Sequence, residues 1–177
     1  NDFLDKKFAI VYAGYLSEER NIEKIVDAII IYNQNRKENL ELHFYGRGPL
    51  EQYLQMKCKE YQYIKFYGEY KNEQLNNILK PYMFGYVCYD NDEMNTILCS
   101  PNKLYDYVRN GVVILANSNF SISKFISENQ VGVCHDDYIY ALGELVKTYQ
   151  QYKDNTINWR LKPVPNDYGD LIGKMKE

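Results

Sequence analysis

Three short runs of the chain combine glycine, cations and carboxylate at spacings suited to gripping a phosphorylated ligand. In Gly14-Tyr15-Leu16-Ser17-Glu18-Glu19-Arg20-Asn21 a glycine closes an apolar run and an arginine follows six positions later. The glycine lets backbone turn close to a ligand, and the planar, permanently charged guanidinium of Arg20 suits a phosphate. In Ser100-Pro101-Asn102-Lys103-Leu104-Tyr105-Asp106-Tyr107, Ser followed by Pro is a helix start signal. A helix N-terminus offers free N–H groups and the positive end of a dipole to an anion. Asn102 and Asp106 share one helix face with Lys103 beside them, and a carboxylate one turn in from a phosphate can accept from two ribose hydroxyls. Plainer accounts exist for both runs: an ordinary turn with an exposed Arg20, and a capped surface helix with an i, i+3 Lys103–Asp106 pair.

The third run, Tyr45-Gly46-Arg47-Gly48-Pro49, has two glycines of a dinucleotide fingerprint but not the third. It also follows the second strand-like segment rather than the first, so a nicotinamide-dependent dehydrogenase is not expected. His43 lies in a strand-like segment and His135 in a loop, and each reads as structural or solvated. The cysteines, Cys58, Cys88, Cys99 and Cys134, show no CxxC spacing. Neither a metal site nor a disulfide framework is expected, and a reducing cytoplasm fits.

The elements that must position these runs alternate in period. Short apolar segments at 8–13, 40–45, 63–67, 83–89, 112–116 and 131–134 read as strands, mostly stopped by or beside a glycine. Between them, Ile22, Ile25, Val26, Ile29 and Ile30 mark a helix from about 19 to 35. Further helices are expected from Pro49 to Cys58, Lys71 to Leu79, Pro101 to Asn110, Ile122 to Glu128 and Tyr138 to Gln150. The stretch 152–165 reads as irregular and 168–176 as a terminal helix. Six strands alternating with helices give an α/β fold, a doubly wound Rossmann-like parallel sheet with helices on both faces. Ligands of such sheets bind beyond the carboxyl ends of the strands, where all three runs fall.

Composition agrees. The chain has 177 residues, 45% apolar and 25% charged, with a net charge of −3. It is the size of one domain and lacks the basic field of a nucleic-acid binder. No apolar run approaches the roughly 20 residues of a membrane-spanning helix. The chain opens on Asn1-Asp2 without a methionine, read as a boundary within a longer protein.

In order, Gly14 with Leu16 and Arg20, Gly46-x-Gly48-Pro49, Phe66-Tyr67-Gly68, Ser100 to Tyr107, Gly111-Val112-Val113-Ile114 and Val131-Gly132-Val133 span nearly the whole chain. The series resembles the C-terminal, donor-binding domain of the large retaining GT-B glycosyltransferase family that builds bacterial polysaccharide and lipopolysaccharide. The resemblance implies one half of a GT-B fold: residues 1–165 as the nucleotide-sugar-binding domain, and 166–177 as a helix returning toward an N-terminal domain.

It further implies that Gly14 and Arg20 hold the donor diphosphate, with Tyr15 standing where the family usually has arginine. Asp106 matches the last acid of the family's E-x7-E motif and would hold the ribose. Leu98 falls at the first acid, which leaves the sugar and the stereochemical outcome open, and Asp92 or Glu93 could stand in. Pro101 lacks an N–H, for which the Ser100 hydroxyl would compensate. The nucleobase would lie near Tyr67, Gly68, Glu69 and Tyr70. Asn102 and Lys103 complete the binding set, and Arg20 and Lys103 would stabilise the leaving diphosphate. The implied substrate is a UDP- or GDP-sugar, with no bound metal and no permanent cofactor. The sugar would pass to a glycan or lipid acceptor held by an N-terminal domain, in the cytoplasm at the membrane periphery, with the membrane contact outside this half. Two other readings use the same fold: half of a sugar-nucleotide epimerase, or a non-catalytic domain kept for protein contacts.

Overall fold

The structure, a computed structural model, describes residues 6–34, 36–89 and 102–161. Ser100, Pro101, Leu98, Asp92, Glu93, Cys99 and the expected C-terminal helix lie outside the described residues.

Six strands form one parallel sheet: β1 (Lys7–Ala13), β2 (Glu41–Tyr45), β3 (Ile64–Phe66), β4 (Tyr82–Val87), β5 (Val113–Ala116) and β6 (Gly132–Cys134). Their order is β3-β2-β1-β4-β5-β6, every neighbouring pair parallel. The helices are α1 (Ile22–Asn33), α2 (Glu51–Glu60), α3 (Leu75–Leu79), α4 (Asn102–Arg109), α5 (Phe120–Asn129), α6 (Tyr138–Lys147) and α7 (Tyr149–Leu161). The six strands and doubly wound arrangement expected from the sequence are present.

Side-chain alternation sorts the core. In β1, Ile10 and Tyr12 join α1, α2 and α6 on one face of the sheet. Ala9, Val11 and Ala13 join α3, α4 and α5 on the other. Both faces are covered, which is why the strands read as unbroken apolar runs rather than as alternating ones.

Two expectations need correction. The first helix does not run from 19: Glu18–Arg20 form a 3-10 turn, and Asn21 at φ 49° separates it from α1. Asn visits that left-handed conformation more readily than most residues, and here its amide donates to Cys88 Sγ rather than to a local group. The second concerns 152–165, where an irregular tail was expected and α7 runs to Leu161. Tyr149, Tyr152, Thr156 and Trp159 are three, four and three residues apart and so form one stripe. Tyr149 packs edge-on against Phe84 at 5.2 Å, Thr156 is fully buried, and Trp159 meets Phe125 and Tyr105, both at 6.1 Å. The helix thus reaches the cores of both faces. A stripe of two tyrosines, a threonine and a tryptophan among polar residues is a weak apolar signal, and tertiary contact carries the helix.

Candidate functional site

The sheet order reverses between β1 and β4: from β1 the chain winds out through β2 and β3, and from β4 it winds the other way. At their carboxyl ends the following loops part and leave a crevice. Helix α4 is pinned over it by Tyr107, fully buried, whose hydroxyl donates to the carbonyls of Val11 and Tyr86 at 3.2 and 3.0 Å. Residue 85 must be glycine for this, since a Cβ there would meet the Tyr107 ring at 2.8 Å.

The crevice holds a cavity of about 360 Å³ lined by Gly14, Tyr70, Tyr89, Asn102, Lys103 and Asp106, among others. A second hollow of about 220 Å³, lined by Tyr15, Arg47, Glu69 and Asn72, shares Gly14 and Tyr70 with the first. Together they make one groove along the carboxyl edge of the sheet.

The floor of the groove is two loops locked together. Gly14 N–H donates to Tyr45 O and Leu16 N–H to Arg47 O, both at 2.9 Å. At Gly46, with φ 140°, a Cβ would collide with the Gly14 carbonyl, and at Gly48 one would collide with the Leu16 carbonyl. The GxG pair therefore serves close packing of loop on loop. Tyr12 adds a third tie, its hydroxyl donating to Tyr15 O at 2.7 Å.

Two cations converge here from distant elements. The Arg20 guanidinium lies 4.1 Å from the Tyr89 ring centroid and donates to Cys88 O at 3.3 Å. The Lys103 ammonium lies 4.2 Å from the Tyr12 ring centroid. Among the described residues neither is ion-paired with a carboxylate, and in place of the Lys103–Asp106 pair of the plainer alternative Lys103 contacts Tyr12. Burial first, then Arg20, bring the Lys103 pKa down to about 7, against the pull of Asp106 and Cys88. Burial raises the Asp106 carboxyl, opposed by Arg109 and Lys103. In the same loop Ser17 Oγ is buried with no hydrogen-bond partner among the described residues.

Beneath the Arg20 turn lies a polar network that sequence reasoning did not find. Tyr86 Oη donates to Arg20 O at 3.0 Å and sits 2.9 Å from Tyr138 Oη, and Asn21 Nδ2 donates to the buried Cys88 Sγ at 3.1 Å. Its members come from three separate segments, and no local pattern marks them.

Of the residues singled out from the sequence, Gly14, Asn102, Lys103, Asp106 and Tyr70 line the main cavity, Tyr15 and Glu69 its extension, and Arg20 stands beside Tyr89 on its wall. Tyr67 is not brought into the groove: its ring stacks on Tyr45 at 4.6 Å and 13° and meets His43 edge-on. Gly68, at φ 78°, serves the turn, its carbonyl accepting from Gly46 N–H at 2.7 Å. Glu69 faces Arg47 at 3.5 Å, both largely exposed.

His43 is structural, buried between Tyr82 Oη and Glu41, each at 2.7 Å, and burial lowers its pKa. His135 is exposed and accepts from Asp137 N–H through Nδ1 at 3.0 Å. No cluster of metal-binding side chains occurs among the described residues. A larger concavity of about 1030 Å³ runs along the outer edge of β6 beside Ser123, Cys134, His135 and Tyr140, two strands from the crevice.

The sequence profile of glucosyltransferase 3-like C-terminal domains matches residues 10–164. No curated protein sequence matches the chain. Solved structures share its fold. The catalytic domain of cholesterol-alpha-glucosyltransferase from Helicobacter pylori aligns with TM-score 0.65 and 14% identity, over 86% of this chain and 94% of that one. The C-terminal domain of a group 1 glycosyl transferase (LpcC) from Francisella tularensis aligns with TM-score 0.68 and 11% identity, over 90% and 89%. The pneumococcal O-GlcNAc transferase GtfA, solved with UDP and GlcNAc, aligns with TM-score 0.57 and 19% identity, over 85% of this chain and 28% of its own length. The six-stranded parallel sheet is the Rossmann-like domain of GT-B glycosyltransferases.

Proposed function

Because the chain belongs to the family of glucosyltransferase 3-like C-terminal domains, and so to the glycosyltransferases, we propose that its crevice between β1 and β4 binds the donor, a nucleoside-diphosphate sugar. One observation carries the reading: Arg20 and Lys103 meet at the switch point of the sheet, beside the N-terminus of α4, without a carboxylate ion-paired to either among the described residues. Lys103 lining the cavity with Arg20 close by, neither ion-paired to a described carboxylate, is matched by a diphosphate.

In this reading the diphosphate lies over Gly14, between Arg20 and Lys103, with Asn102 at the N-terminus of α4. Asp106, one turn further along α4, accepts from the ribose hydroxyls. The base extends into the hollow at Tyr70 and Glu69, and the donor is a UDP- or GDP-sugar. As the glycosidic bond breaks, the leaving diphosphate gains negative charge. Fixed cations and the dipole of α4 stabilise that charge without reorganising, so Arg20 and Lys103 act in the transition state. The acceptor, a glycan or lipid, is held by an N-terminal domain of the same protein, in the cytoplasm at the membrane periphery. The present chain therefore binds nucleotide without transferring sugar, and sugar transfer by it alone would contradict that division of labour.

Calorimetric titration with UDP, GDP, ADP and their monophosphates tests the reading. One diphosphate is expected to bind best. Arg20→Ala and Asp106→Ala each remove a charge-assisted contact, about 1.5–3 kcal/mol, and weaken binding about 10-fold or more. Wild-type affinity in both variants would overturn it.

A further inference from the structure

Donor binding as described leaves one residue beneath the crevice without a role: Tyr12, buried and in contact with Lys103. Tyr12 points to the β1 face shared with α1, against Phe44 and Tyr86 at 6.1 and 6.0 Å. Lys103 belongs to α4, which packs on the opposite face over Ala9, Val11 and Ala13. Its side chain must therefore cross the carboxyl end of the sheet at the switch point to reach the Tyr12 ring. Glycine at position 14 makes the crossing possible, because a Cβ there would collide with Lys103 Nζ and come within 3.3 Å of Tyr12 Oη. That hydroxyl holds the Tyr15 carbonyl at 2.7 Å. One buried side chain thus contacts both the ammonium and the turn beneath the expected diphosphate.

We propose that Tyr12 is a positioning residue for diphosphate recognition, its ring face holding the Lys103 ammonium over the switch point and its hydroxyl fixing the Gly14-Tyr15 turn. A ring face attracts a cation through its quadrupole, more strongly where water is excluded. The other groups facing Lys103 are Arg20 from the 3-10 turn, Cys88 and Tyr89 after β4, Tyr70 after β3 and Asp106 on α4 itself. Arg20 repels the ammonium, and Asp106 attracts it without forming an ion pair. The ring supplies the direct contact. Only the functional consequence, that nucleotide affinity follows the Lys103 charge, rests on the donor-site reading.

The direct test needs no ligand. The Lys103 Cε resonance of the nucleotide-free chain, assigned by its loss in Lys103→Arg, is followed through a pH titration. The midpoint is expected near 7 in the wild type and unchanged in Tyr12→Phe, which keeps the ring. In Tyr12→Leu it is expected to fall by roughly half a unit or more. Tyr12→Met serves the same purpose if the leucine variant does not fold, and thermal melts establish folding in each case. UDP titrations of the same proteins then read the consequence: Tyr12→Leu weakens binding about 5-fold or more at pH 7, and its loss of affinity with rising pH begins earlier. An unmoved or raised midpoint in Tyr12→Leu overturns the proposal. If the midpoint falls but no nucleoside diphosphate binds the wild type, the ring still holds the ammonium and the donor-site reading is what fails.

Discussion

Lys103 shows at the scale of one residue how a site can be built against stability. Folding encloses its ammonium and sets it near Arg20, which takes its pKa from 10.5 to about 7. A lysine with a depressed folded-state pKa sheds its proton in the native state before it does so in the unfolded one. Stability therefore rises with pH between about 7 and 10.5, as the penalty on the charged form is relieved, and the penalty is greatest below 7. Lys103→Met removes it. Chemical denaturation should find the variant more stable than wild type by about 1–3 kcal/mol at pH 6, the gap closing toward pH 10. A gap independent of pH would show that Lys103 is not the titrating group. Ligand binding carries the opposite sign. A diphosphate favours the ammonium, so wild-type affinity should hold below pH 7 and decline above it, while Lys103→Met binds weakly throughout. Arg20, Lys103 and Asp106 could be singled out in the sequence because each follows a strand-like run beside a glycine or a helix start signal, although each also had a plainer structural account. Tyr12 was not, since within an apolar strand a tyrosine reads as core. Nothing in the linear chain shows that its ring will meet a lysine from a helix on the other face.

Among the elements, glycines separate those that fix the site from those that only fill a helix. Gly46 touches the Gly14 carbonyl at φ 140°, so Gly46→Ala forces apart the two loops that floor the groove. A loss of about 2–4 kcal/mol is expected in denaturant titration, with weaker nucleotide binding in the molecules that still fold. Gly143 lies within α6 with nothing within 4 Å of where a Cβ would stand. Gly143→Ala should stabilise by about 0.5–1 kcal/mol and leave binding unchanged. Equal effects at the two positions would contradict the loop-packing account. The GxG run was visible as a motif, but its use was not. What distinguishes a phosphate grip from a loop contact is which backbone lies opposite, and that is settled only when β1 and β2 pair. Helix α7 was missed for a related reason: its stripe of Tyr149, Tyr152, Thr156 and Trp159 is regular in spacing but mixed in polarity.

The molecule as a whole follows from alternation. Six short apolar segments separated by helical ones admit few arrangements other than a doubly wound sheet, and the sheet puts its crevice where the order reverses. The donor-site proposal puts the site between β1 and β4 although the larger hollow lies along β6. Volume alone would favour the β6 edge, whereas the convergence of charge, glycine and a helix N-terminus favours the switch point. The most direct test is to record amide ¹H–¹⁵N spectra of the chain during titration with UDP and, in parallel, GDP. The account predicts that one of them shifts the amides of Gly14, Tyr15, Arg20, Asn102, Lys103 and Asp106 together and leaves those of Ser123, Cys134 and Tyr140 in place. Shifts confined to the β6 edge, or none with either nucleotide at millimolar concentration, would contradict it.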